Sequence, residues 1–305
     1  MNEIQKVDVA VCTWNRPKLL ADTLKSFSGL VVGDSIQLRV IIVDNNSTDT
    51  TQDVIRSFCD SEFAKTHTVI ALTETQQGHT FSRNCAVSAA ESDLMIWTDD
   101  DVNVEPDWVK KYVDAANSNA EVTFFGGVIN PRFETEMPSW IFENWEALKG
   151  CFALREFSGD LELDESRLPY GANFAIRTAI QKQFRFDHEL GRRGDDVLGE
   201  DELDLFRRLL VAGHRGHWVP GAALWHIIPD ERVTEKYVFD YFVGQGRALV
   251  AKGEQWNSDV DQLRKESKSE YRKYKLKRLL SGPKVWVSHM LRSALAQGQA
   301  NALSE

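Results

Sequence analysis

The chain has 305 residues and a formal charge of −10, with 42% hydrophobic and 27% charged residues. That size and balance suit one large domain, or a domain plus an extension, built around a packed core. The acidic charge argues against a general nucleic-acid binder, and no apolar run approaches the roughly 20 residues needed to span a bilayer. The N-terminus, Met-Asn-Glu-Ile-Gln-Lys, lacks a basic region followed by an apolar stretch, so no secretory signal is expected. Cys12, Cys59, Cys85 and Cys151 are scattered without Cys-x-x-Cys spacing. They read as buried small residues in a reducing compartment, which makes the cytoplasm the expected location.

In chain order, Val7–Cys12 reads as a first strand, and Pro17 stands where a helix favours its first turn. Leu19, Leu20, Thr23, Leu24 and Phe27 then keep a helical stripe. Leu38–Val43 is a second strand, and the polar residues after Asp44 can cap a helix bearing Val54, Ile55 and Phe58. Val69–Leu72 predicts a third strand and residues 80–91 a third helix. Leu94–Trp97 is a fourth strand that runs straight into Asp99, Asp100 and Asp101. Strand and helix alternate with short connections, the pattern of a parallel sheet covered by helices. Beyond Asp107 the pattern loosens. Strands are expected near 124–129 and 173–177, a helix over 200–212 and an extended stretch over 219–228, whereas 131–160 reads as loop-rich. From about Thr234 the chain turns helical and basic, with a weak break at Ser281–Pro283.

Three adjacent carboxylates repel one another unless a cation sits among them. At the carboxyl end of a strand in an open α/β sheet they lie where ligands bind, and their oxygens suit Mg2+ or Mn2+. Asp44 also follows a buried strand, so it can either accept hydrogen bonds from a ribose or base or cap the next helix. Glu200 and Asp201 open the helix of Leu203, Phe206 and Leu210, where acids either offset the helix dipole or supply a general base.

These residues carry a resemblance. Val9-Ala-Val-Cys-Thr-Trp-Asn-Arg16, Ile41-Ile-Val-Asp-Asn-Asn-Ser-Thr-Asp49, Ser82-Arg-Asn84, Asp99-Asp-Asp101 before Glu105-Pro-Asp107, and Gly199-Glu-Asp201 stand in the order and spacing of glycosyltransferase family 2. The likeness extends across residues 7–226. It implies a GT-A, Rossmann-like nucleotide-diphospho-sugar transferase fold, with a mainly parallel central sheet flanked by helices and a C-terminal helical extension. The expected division is a catalytic domain over 1–232, with a nucleotide-sugar half at 1–107 and an acceptor half at 108–232, followed by a basic extension at 233–305.

The resemblance implies roles. Asp44 resembles the base- and ribose-binding aspartate, with Thr13, Asn15 and Arg16 lining the same pocket. Asp99 faces the nucleoside and Asp101 holds the metal, with Asp100 between them on the donor side as the replaceable member. Arg83 resembles a diphosphate or ribose contact. Asp201 matches the catalytic base, with Glu200 beside it. His226 falls near the metal or diphosphate, although a satisfied core histidine would look the same. The implied reaction is inverting, metal-dependent (Mn2+ or Mg2+) transfer from a nucleoside-diphosphate sugar, with UDP the commonest nucleotide. The acceptor is a hydroxyl on a glycan, a lipid-linked precursor or a small glycoside, as in cell-surface polysaccharide synthesis.

Trp140, Phe142 and Trp145 lie where relatives receive the acceptor, and aromatic faces suit sugar rings as well as they suit a core. Gly171-Ala-Asn173 resembles the stretch preceding the acceptor side of the family. The basic tail, Arg264–Arg292, suits either the inner face of an anionic membrane or packing on protein. Two other readings compete: a sugar-nucleotide-binding module without turnover, and a Mg2+-dependent aspartyl phosphatase. The phosphatase pattern expects Thr or Val where this chain has Asn103.

Overall fold

The computed structural model describes residues 3–190, 201–251 and 253–304. Contacts divide the chain into two compact units, residues 1–132 with 154–227, and residues 133–153 with 228–305.

In the first unit β1 (Lys6–Thr13) leads to α1 (Pro17–Phe27), β2 (Gln37–Asp44), α2 (Thr51–Cys59), α3 (Glu62–Thr66), β3 (Thr68–Thr73), α4 (His79–Ala89) and β4 (Leu94–Thr98). A short strand β5 (Val102–Val104), α5 (Trp108–Ser118) and the long β6 (Val122–Phe133) follow. Two single-turn helices that belong to the second unit, α6 (Ser139–Phe142) and α7 (Trp145–Leu148), interrupt the stretch that reads as loop. The chain continues through β7 (Leu161–Leu163), β8 (Phe174–Arg177), α8 (Thr178–Gln181), α9 (Asp201–Val211) and β9 (Arg215–Ile228).

Among the described residues these strands form one sheet in the order β3-β2-β1-β4-β8-β6-β9-β5, with β7 paired to β9. The parallel pattern holds through β3, β2, β1 and β4, as the alternating sequence predicts. At β8 the direction reverses, and the remaining pairs recorded are antiparallel, so the sheet is mixed. Alternate side chains separate two apolar layers. Val7, Val9 and Val11 join Leu20, Leu24, Phe58 and Trp108 on one face, while Ala10, Ile41 and Trp97 join Val87, Leu205 and Phe206 on the other. Burial on both faces is why β1, β2 and β4 read as continuous apolar runs. Their register sets Thr13 beside Asp44 and Val11 beside Thr98, so three strand ends reach one edge together.

The second unit is built largely from three helices, α10 (Glu235–Ala251), α11 (Val260–Leu280) and α12 (Pro283–Ala302). The Asp259 carboxylate caps α11 by accepting from the Asp261 and Gln262 amides at 2.9 and 3.0 Å. Helices α10 and α12 approach through glycine. A Cβ at Gly246 would lie 2.3 Å from the Leu295 carbonyl, and one at Gly298 would lie 2.0 Å from that of Val243. Segment 133–153 joins this unit through Trp140, whose ring lies 5.5 Å from that of Trp286.

Candidate functional site

The loop after β1 turns sharply because Asn15 adopts a left-handed φ of 52°, which asparagine tolerates better than most residues. Its amide donates to Ser47 Oγ at 2.9 Å, and its side-chain oxygen accepts from the Thr48 amide at 2.8 Å. Those two bonds join the loops after β1 and β2. Asp44, 2% exposed, accepts from the Ser47 amide and from Gln52 Nε2, both at 3.0 Å. It therefore shapes its own loop, while a carboxylate's roughly four lone-pair sites leave room for a ligand.

The triple aspartate does not behave as three equivalent groups. Asp100, the member that reads as replaceable, takes most of the bonds. It accepts from Thr13 Oγ1 at 2.7 Å and pairs with Arg16 Nη1 at 3.0 Å. Burial pushes its carboxyl up to about 6, against the pull of Arg16 and with a further push from Asp101. Asp101 lies 3.3 Å from Arg16 Nη1 and 3.4 Å from His226 Nε2. His226 gets there because β5 and β9 pair antiparallel, with Val102 opposite His226 and the Ile227 amide donating to the Asp101 carbonyl at 2.8 Å. Asp99 is the more exposed member and lies 3.9 Å from Arg83 Nη2.

A second acidic centre forms where α4 meets α9. Arg83, 3% exposed, donates from Nη1 to Asp201 Oδ2 at 2.7 Å and lies 3.4 Å from Glu202 Oε2. Its guanidinium sits 5.0 Å from the Phe186 ring centroid and 6.0 Å from that of Trp97. Aromatic faces on a buried cation leave its charge directed at carboxylates. Burial would raise the Asp201 carboxyl, but Arg83, with His79 Nδ1 at 3.8 Å, holds it below the usual aspartate value. Glu202 is displaced the other way, to about 7, by burial and the neighbouring Asp201 charge. Gly171 makes the close packing possible, since a Cβ there would lie 2.5 Å from Arg83 Nη2.

Thr13, Asn15, Arg16, Asp44, Asp99, Asp100, Asp101 and His226 thus meet at the strand ends, and Arg83 links Asp99 to Asp201. Glu200 lies outside the described residues. Asn173 is corrected: it is fully buried and has no atom to offer an acceptor. Its Oδ1 accepts from Trp108 Nε1 and Tyr112 OH, and its Nδ2 donates to the Val128 and Ala222 carbonyls, all within 2.8 Å. Trp140 and Trp145 are half-buried packing residues of the second unit. Trp140 rests on Trp286, and Trp145 stacks on Phe152 at 6.0 Å. The sequence reading passed over Glu202 and His79. A third acid in Gly199-Glu-Asp-Glu202 exceeds what a helix dipole needs and was the available signal.

The strand ends thus bring carboxylates and an imidazole together, and a separate carboxylate is kept ionised by a buried cation. Known proteins resemble the chain at the level of family and fold. The family description Glycosyl transferase family 2 matches residues 8–169, just over half of the chain. Succinoglycan biosynthesis protein ExoM of Rhizobium meliloti (strain 1021) is 25% identical over 240 residues, covering 76% of this chain and 70% of ExoM. Mannosyltransferase PcManGT from Pyrobaculum calidifontis, in complex with GDP-Man and Mn2+, superposes with a TM-score of 0.56 and 16% identity, over 97% of this chain and 73% of that one. S. aureus TarS 1–349 in complex with UDP-GlcNAc gives a TM-score of 0.55 and 16% identity, over 81% and 66%. Those structural likenesses speak to the fold, which is that of the GT-A glycosyltransferases. The chain belongs to glycosyltransferase family 2 and is a glycosyltransferase.

Proposed function

We propose that the chain transfers a sugar from a nucleoside-diphosphate donor, with UDP as the nucleotide, to a hydroxyl of a glycan acceptor during polysaccharide assembly, and that transfer inverts the anomeric centre. The observation that carries this reading is the pairing of the two acidic centres through Arg83, 3.9 Å from Asp99 and 2.7 Å from Asp201. Nucleotide-sugar complexes of PcManGT and TarS support the donor class, and the printed role of ExoM in succinoglycan synthesis supports the acceptor class.

In this reading the loops bearing Asn15, Asp44 and Asp99 receive the nucleoside. The Asp101 carboxylate suits Mn2+ or Mg2+, and the His226 imidazole 3.4 Å from it would favour Mn2+ of the two. Among the described residues no three His, Cys, Asp or Glu side chains form a complete ligand set. Any cation held there would need donor phosphate oxygens and water for the rest of its shell, which is how Mg2+ is commonly held. When bound, the cation supplies Lewis-acid neutralisation of charge building on the diphosphate. Asp201 accepts the proton of the acceptor hydroxyl while its oxygen bonds to the anomeric carbon. The bond to the diphosphate breaks on the opposite face, carrying its electron pair away. Arg83 keeps Asp201 ionised for that task.

Thermal shifts with UDP-, GDP- and dTDP-sugars in the presence of Mn2+ test the donor, because stabilisation follows affinity by mass action. The expected result is a preference for a UDP-sugar, followed by product formation that EDTA abolishes. Metal-dependent stabilisation without any product would favour a binding module instead.

A further inference from the structure

Two residues, Ser281 and Gly282, join α11 to α12, so these helices fold back as a hairpin. The buried stripe of α11 is Leu263, Ser267, Glu270 and Tyr274. Leu276, Leu279 and Leu280 fall on the opposite side, at the i, i+3 and i+4 spacing that places side chains together, and are 57%, 79% and 71% exposed. Val285, just past the turn, is 42% exposed. On α6, which packs at this end through Trp140 and Trp286, Phe142 is 73% exposed.

The charge around this tip is the reverse of the protein's. Between Tyr271 and Val285 there are six Lys or Arg residues and no Asp or Glu, in a chain whose net charge is −10. Arg278 pairs with Glu235, and Lys275 lies over the Tyr271 and Tyr274 rings. Arg272, Lys277 and Lys284 make no ion pair among the described residues. Clustered leucines at the tip of a cationic hairpin are costly to leave in water unless something covers them.

We propose that the α11–α12 hairpin tip docks on an anionic lipid bilayer. The leucines enter the acyl boundary, while Arg272, Lys277 and Lys284 stay at the lipid phosphates, as amphipathic interfacial helices do. No described helix is long and apolar enough to cross a membrane. A protein partner fits less well. A stable interface covers about 800 Å² on each side, and a few side chains at a two-helix tip supply less. The inference rests on the helical unit alone and does not depend on the donor or acceptor.

The test is flotation of the full chain with vesicles of phosphatidylcholine alone or mixed with phosphatidylglycerol. Wild type is expected to float with the anionic vesicles and not the neutral ones, and to lose binding as salt rises. Lys277→Gln with Lys284→Gln should lower the partition coefficient roughly thirtyfold, from about fivefold per charge. Leu279→Ser with Leu280→Ser should lower it at least about tenfold. These side chains are exposed, so an unchanged melting temperature confirms that both variants fold. The proposal fails if wild type floats equally with neutral vesicles or with none. It also fails if wild type is a dimer in solution that the leucine variant converts to monomer, which would assign the tip to a second copy.

Discussion

Asp100 and Asp201 are both buried aspartates, 4% and 1% exposed, yet their carboxyls move in opposite directions. Asp100 goes up to about 6 because burial and the adjacent Asp101 outweigh Arg16, whose own side chain is 40% exposed. Asp201 faces the same burial penalty, but Arg83 is enclosed with it and carries its charge in a poorly screened setting, so the carboxyl goes down. A buried cation fixes a carboxylate in its charged form, whereas a half-exposed one leaves a like-charged cluster still short of positive charge. The first arrangement suits a base. The second suits a site that takes up a cation.

The sharpest break in that contrast is Asp201→Asn. Transfer should fall about 10²- to 10⁴-fold, the usual worth of a general base, while thermal shifts by the nucleotide sugar persist. Turnover at the wild-type rate would remove Asp201 from the chemistry. Next comes Arg83→Met, which strands Asp201 and Glu202 without their cation. Breaking a buried pair typically costs about 3–5 kcal/mol, readable in the urea midpoint. In whatever fraction stays folded, the acid limb of the rate profile should move to higher pH, because Asp201 then holds its proton more tightly.

The donor end is probed by His226→Ala. The Mn2+ concentration for half-maximal activity should rise about tenfold or more if the imidazole supports the cation. An unchanged requirement would make His226 a structural histidine that only completes the β5–β9 pairing. The smallest effect on turnover is expected from Glu202→Gln, whose readout is stability. Because Glu202 sits at about 7 in the fold against 4.5 as its ordinary value, the folded state binds the extra proton. Its contribution to stability is therefore full below pH 4.5 and is lost as pH rises through about 7. Melting curves of wild type should decline across that window relative to the variant, by at most about 3 kcal/mol.

Much of the donor end was legible in the sequence. Runs such as Val7–Val11 and Leu38–Val43 announce strands buried on both faces, and parallel pairing follows from the helices between them. Aligned strand ends then bring Thr13, Asp44 and Asp99 to one edge, which makes short local motifs informative. The base side was less legible. Asp201 could be found by its motif, but its low carboxyl value depends on Arg83, 118 positions earlier. Asn173 is a related case. Its place in a family-like stretch says nothing of the four buried partners that consume its amide.

The sequence by itself determined the α/β class, the family and the residue types at the strand ends, because periodicity and local motifs are properties of short segments. Tertiary structure decided which carboxylates share a cation, that β8 reverses the sheet, and that β5 and β9 deliver His226 to Asp101. It also decided that Phe133–Ala153 packs with the C-terminal helices. Each of these rests on pairing between residues distant in the chain. Charge, burial and strand direction at such contacts are set by the neighbour across the gap, about which a local pattern carries no information.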